Sequence, residues 1–148
     1  MAELIAKATR IPVPGGKVID EYVGRVNSGE VALSVAHMIA PGGWREPVQT
    51  PDFDEYTLVL RGTVRVETPA GVFDVPAGSA IVTRAGERIR YSVPAGEAAE
   101  YVAICRPAFA LDLAHRDEDG QSDDGQSEDG HNDDGDQNVR PDGDPGPW

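Results

Sequence analysis

The residues most able to do chemistry cluster in and around "GGWREPVQTPDFDEYTLVLRG", residues 42–62. Glu55 is an acid or base, Gln49 an amide donor and acceptor, and Trp44 a flat surface that a ligand could stack on. The glycines and the acid are spaced as if framing a metal site, yet the stretch contains no histidine. His37 in "SVAHMIA" and Tyr91 in "RIRYS" are the candidate proton-transfer partners for Glu55. Such a pairing would serve general acid–base chemistry. The alternative for Glu55 is a structural carboxylate tied to an amide or an arginine, because an unpaired buried carboxylate is costly. His37 could face a pocket or the outside, and Trp44 could rim a ligand site or close a turn. Cys105 lies in the apolar run "YVAICRPAF" with no evident base beside it, and reads as a small core residue.

The elements that must position these groups are short apolar runs rich in Val, Ile, Tyr and Thr, broken by Gly and Pro. "VALSVAHMIA", "YTLVLRG", "VRVETPAGVFDV", "RIRYSVPAG" and "EYVAICRPAF" are such runs, and no helix-length period is present. Strands at this spacing with turns between them predict an all-β sandwich or barrel. "VRVETPAGVFDV" predicts a hairpin turning at "TPAG". Alternation then sends every second side chain to one face.

The 148 residues suffice for one domain with its own core. The formal net charge is −13, unevenly spread. Residues 1–115 hold 11 Lys and Arg against 14 Asp and Glu, whereas residues 116–148 hold 2 against 12. Without a cluster of Lys and Arg, a nucleic-acid partner is not expected. A single cysteine cannot form an internal disulfide. No apolar run reaches signal-peptide length or the roughly 20 residues of a membrane helix, so no membrane partner and a cytoplasmic location are expected. The expected organisation is an N-terminal arm with a short strand over 1–30, a β-barrel over 31–115, and an acidic Gly/Asp-rich tail over 116–148. "DEDGQSDDGQSEDGHNDDGDQ" has no aliphatic residue and no Phe, Tyr or Trp, and should be disordered. It lacks the ligand spacing of calcium loops, so diffuse cation binding is the most it suggests.

The glycine frame adds a resemblance. Gly43, Gln49, Pro51, Glu55 and Gly62 are similar in spacing to the first cupin motif, and Gly78, Arg84, Gly86, Ile89 and Val93 to the second. The resemblance covers about residues 30–108 and implies a small cupin barrel, a double-stranded β-helix or jelly roll. It also implies dimerisation. In cupins two histidines and a glutamate of the first motif and one histidine of the second hold a metal. Here Gln49 and Pro51 stand in the first two histidine slots and Ile89 in the third; only Glu55 remains. A transition metal needs several ligands at about 2.0–2.3 Å, so no metal and no cofactor are expected. "FDEYTLVLRG" and "GERIRYSVPAGEAAEYV" further resemble the histidine-poor cupins of the ethanolamine-utilisation type.

If Gln49 and Glu55 occupy ligand slots they point inward, with Thr57, Ile89 and Tyr91, and Arg90 is a further partner for Glu55. Tyr56 and Tyr101 are expected outside or between sheets. The expected function is a homodimeric cupin that binds a small polar molecule without the usual metal. Two alternatives stand beside it. One is a metal-independent isomerase, epimerase or cyclase using Glu55 with His37 or Tyr91. The other is a metalloenzyme with atypical ligands drawn from His37, Gln49 and Glu55.

Overall fold

The computed structural model describes residues 1–117. Within them, nine strands and one helical turn follow in chain order: β1 (Thr9–Ile11), β2 (Val18–Val23), β3 (Ser34–Ala40), β4 (Asp54–Arg61), β5 (Thr63–Thr68), β6 (Gly71–Pro76), β7 (Ala80–Thr83), β8 (Arg90–Ser92), β9 (Ala99–Arg106) and α1 (Leu111–Ala114). The larger sheet runs β1-β2-β3-β9-β4-β7 and the smaller β6-β5-β8, with antiparallel pairing throughout. The hairpin read from "VRVETPAGVFDV" is β5–β6, which turns between Thr68 and Gly71. The expected disordered tail lies, from residue 118 on, outside the described residues.

Period-two alternation sets the layers. On β3, Ser34, Ala36, Met38 and Ala40 are buried while Val35, His37 and Ile39 lean outward. On β9, Ala99, Tyr101, Ala103 and Cys105 are buried, and on β4, Glu55, Thr57 and Val59. Val64, Val66 and Val75 of the smaller sheet complete the core, and Phe109 meets Phe53 edge-to-face at 5.7 Å. Many of the inward residues of the larger sheet are small, which leaves space under long side chains entering from the loops.

β1 and β2 extend the larger sheet, so residues before β3 contribute to the core through Ile19 and to its polar part through Lys17. Gly62, between β4 and β5, has φ 72°, and a Cβ there would collide with the Ala98 carbonyl. That motif glycine is required by both conformation and space. After α1 the chain turns at His115, which takes a left-handed φ of 48°, and runs back beside residues 48–52. Asp52 N donates to Leu113 O (2.8 Å), Thr50 N to His115 O (3.2 Å) and Asp117 N to Val48 O (2.8 Å).

Candidate functional site

Side chains from four parts of the chain meet between the sheets. Lys17 leads into β2 on the same face as Ile19 and Glu21, and all three are buried. Its ammonium lies 3.9 Å from the centroid of the Trp44 ring and 5.8 Å from that of Tyr101. Glu46 comes from the loop after "PGGW"; its Oε1 accepts from Gln49 Nε2 (3.2 Å) and Tyr91 N (3.3 Å). Glu55 enters from β4; its carboxylate accepts from Thr57 Oγ1 (3.5 Å) and Cys105 Sγ (3.4 Å), and the Tyr91 hydroxyl also hydrogen-bonds to it. The Tyr91 hydroxyl sits 2.8 Å from Thr83 Oγ1.

The fourth contribution is Arg116. On the returning segment His115 faces out to Asp52 at 2.6 Å and Asp117 faces out to Arg88 at 2.9 Å. Alternation therefore turns Arg116 inward, where its Nη2 lies 3.8 Å from Glu46 Oε2 and its side chain is only 10% exposed. Met38, Tyr101 and Phe109 line the remainder. The free space among them is about 10 Å³ for the centre of a water molecule, room for about one water. Among the described residues Gln49 Oε1 and Trp44 Nε1 are buried without a hydrogen-bond partner.

Burial dominates the electrostatics. Desolvation raises Glu46 to about 7, against the opposing pull of Arg116 and Lys17. Desolvation likewise raises Glu55, against hydrogen bonds from Tyr91 and Cys105 and the charges of Lys17 and Arg116. Lys17 is lowered to about 8 by the same cause, with Glu46 and Glu55 resisting. Tyr91, Tyr101 and Cys105 are all pushed well up, so they stay neutral donors.

These directions fix a pH dependence. Between the ordinary 4.5 of a glutamate and about 7, the folded state keeps a proton on Glu46 that the unfolded chain has lost. Stability therefore falls as pH rises through that window. Between about 8 and the ordinary 10.5 of lysine, the folded state has shed a proton that the unfolded chain still binds. Stability therefore recovers as pH rises there. Asp20 and Asp74, each hydrogen-bonded to an arginine, and Asp54, held by the Ala85 amide and Arg84, have lowered values and act only below this range. A melting temperature measured against pH should pass through a minimum near pH 7–8; a steady rise from pH 5 to 8 would contradict these protonation states.

The cluster brings together Gln49, Glu55, Thr57 and Tyr91 of the residues read from sequence, and places Trp44 over Lys17 rather than at an open rim. Ile89 is buried and pairs through its backbone with Gln49. The residue also borders a separate open cleft of about 380 Å³, with Val48, Glu67, Pro69, Arg88 and Arg90. Arg90 is half-buried and holds Glu67 at 2.6 Å rather than Glu55. His37 lies on the outward face of β3, 3.5 Å from Glu100, so it is no partner for Glu55: the register that buries Ala36 and Met38 sends it outside. Tyr101 is buried against the cluster, as one of the two placements expected for it.

Sequence reasoning missed Lys17, Glu46 and Arg116. Lys17 stands two residues before Ile19, so period-two alternation from the β2 run could have found it. Glu46 stands three residues before Gln49 in the motif loop. Arg116 carried no signal, since it opens the acidic segment.

Comparison with known structures places this arrangement in the cupin fold. Part of Bacillus subtilis oxalate decarboxylase, in a single-site variant, matches with a TM-score of 0.63 at 17% identity, covering 76% of this chain and 31% of that one. Lactobacillus farciminis oxalate decarboxylase in its formate complex gives 0.62 at 17% identity over 76% of this chain and 34% of that one. A conserved Streptococcus pyogenes protein of unknown function gives 0.54 at 18% identity, covering 65% and 78%. Among curated proteins, one named endoribonuclease YbeY from Myxococcus xanthus (strain DK1622) is 37% identical over 111 residues. The match takes in 75% of this chain, which spans only 38% of that protein's length. No family model matches the chain. Among the described residues no helix is long and apolar enough to cross a membrane.

Proposed function

We propose that the chain is a cupin-fold protein that binds a small polar molecule in the chamber of Lys17, Glu46, Gln49, Glu55 and Tyr91, without a transition metal. The observation that carries this reading is the concentration of four ionisable side chains, Lys17, Glu46, Glu55 and Arg116, around one buried chamber. An apolar core would hold the sheets together as well or better, so such a cluster points to a site. The Bacillus subtilis oxalate decarboxylase has Mn(II) centres. The donor set here does not fit such an ion. Glu55 is the only metal-slot ligand retained, Pro51 and Ile89 offer no side-chain donor, and the charges of Lys17 and Arg116 oppose a dication. Among the described residues no three His, Cys, Asp or Glu side chains are grouped to hold one.

The retained Glu55 and the Ile89-Arg90-Tyr91-Ser92 run support the finer likeness to histidine-poor cupins of the ethanolamine-utilisation type. The exposed Leu58, Leu60 and Val82 on the outer face of the larger sheet support a homodimer. The ribonuclease activity named for the Myxococcus relative is not carried across, since the chain spans only 38% of that protein's length and has no cluster of Lys and Arg for a phosphate-rich partner. A second reading, metal-independent proton transfer, is favoured by Glu46, which burial brings to about 7. In that case Glu46, Glu55 and Tyr91 would be the acting groups.

Glu55→Gln tests the site. Thermal-shift and calorimetric screens of small acids, sugars and amines should find a compound that saturably stabilises the wild type. The variant should stay folded and bind that compound at least about tenfold more weakly, a loss of about 1.4 kcal/mol. A variant that binds as the wild type does but loses about 1–3 kcal/mol of stability would make Glu55 structural and end this assignment.

A further inference from the structure

Arg116 occupies the place where a ligand would sit. It reaches the chamber from a segment that begins only after the last strand, and it closes the space down to room for about one water. The geometry points to a chamber that takes a small planar monocation of the guanidinium or amidinium class, with Arg116 as its tethered occupant, displaced when such a ligand enters. This inference rests on the binding role proposed above.

Two features set the class. The first is charge: with Arg116 withdrawn, the chamber holds the Lys17 ammonium and the carboxyl groups of Glu46 and Glu55. Two potential anions then face one cation, and an incoming monocation restores the balance whereas an anion worsens it. The second is hydrogen bonding. Glu46 Oε2 faces the Arg116 guanidinium, and Gln49 Oε1 is a buried acceptor without a donor among the described residues. A planar cation with several N–H groups can satisfy both. The occupant is also removable. Its segment is held by a few backbone hydrogen bonds and by two half-exposed ion pairs, His115–Asp52 and Asp117–Arg88. Exposed pairs of that kind contribute little.

The experiment is calorimetric titration of the full chain, wild type and Arg116→Gln, with methylguanidinium chloride. Sodium chloride and sodium acetate are the controls. A tethered competitor acts at an effective concentration on the order of millimolar or higher, so Arg116→Gln should bind methylguanidinium at least about tenfold more tightly than the wild type. Adding Glu46→Gln to that variant should abolish the gain. Equal affinity in the wild type and Arg116→Gln overturns the tethered-occupant inference. Tighter binding of acetate than of methylguanidinium overturns the ligand class while leaving the chamber a binding site. Binding of neither methylguanidinium nor acetate to either protein, together with no stabilising compound in the screens of acids, sugars and amines, overturns the inference and the proposed function together. If Arg116→Gln does not fold, Arg116→Lys keeps the charge but loses the planar fork, and it too should bind methylguanidinium more tightly. A folded Arg116→Lys protein with wild-type affinity counts against the inference.

Discussion

Lys17→Met is expected to lower the melting temperature by more than about 10 °C near neutral pH, corresponding to about 3 kcal/mol. Methionine replaces the apolar stem of Lys17 and keeps contact with Trp44, so little packing is lost. What disappears is a cation buried to 7% exposure beside two carboxyl groups that are themselves 5% and 7% exposed, Glu46 and Glu55. Removing one member of a buried charge cluster leaves the others uncompensated, and that penalty exceeds the net contribution of the cluster itself. Arg116 still faces Glu46 at 3.8 Å, which keeps the expected cost near the lower end of the range for broken buried pairs. The loss should shrink at pH 5, because Glu46, with its value raised to about 7, is then protonated and no longer needs the ammonium. Thermal unfolding of both proteins at pH 5 and pH 7 checks this. An equal loss at the two pH values would mean that Lys17 acts through packing alone.

Two truncations should differ sharply although only three residues separate them. A chain ending at Asp117 should melt close to the full-length protein and show a higher isoelectric point, since residues 118–148 carry acidic residues in large excess. A chain ending at Ala114 should lose about 3 kcal/mol. It lacks the Thr50–His115 and Val48–Asp117 backbone hydrogen bonds, and it leaves Glu46 without the Arg116 charge. Differential scanning calorimetry of the three proteins decides the matter. If the two truncated chains melted alike, the returning segment would contribute nothing to the fold, and the inward placement of Arg116 would lose its energetic meaning.

The sequence by itself determined the β architecture and which of the polar residues singled out in it gather between the sheets. Short Val- and Ile-rich runs punctuated by Gly and Pro can bury an apolar face only as strands, and the alternation in "SVAHMIA" and "EYVAICR" is the alternation of β3 and β9. The motif spacing put Gln49, Glu55 and Tyr91 at one place because a strand's two faces and a glycine turn leave few registers open. Gly62 shows this most directly, with both its φ and its contact with Ala98 excluding a side chain.

Tertiary structure alone decided which partners meet these residues. His37 was chemically the natural companion of Glu55, yet sequence could not say which face of its strand was inward. Packing of Ala36 and Met38 settled that against it. Lys17, Glu46 and Arg116 join Glu55 across separations of 38, 9 and 61 residues, from a strand entry, a loop and a segment that composition had assigned to a solvated tail. Local propensity carries no information about such encounters. They arise because the returning segment hydrogen-bonds to residues 48–52, and because His115 and Asp117 find exposed partners that turn the residue between them toward the interior.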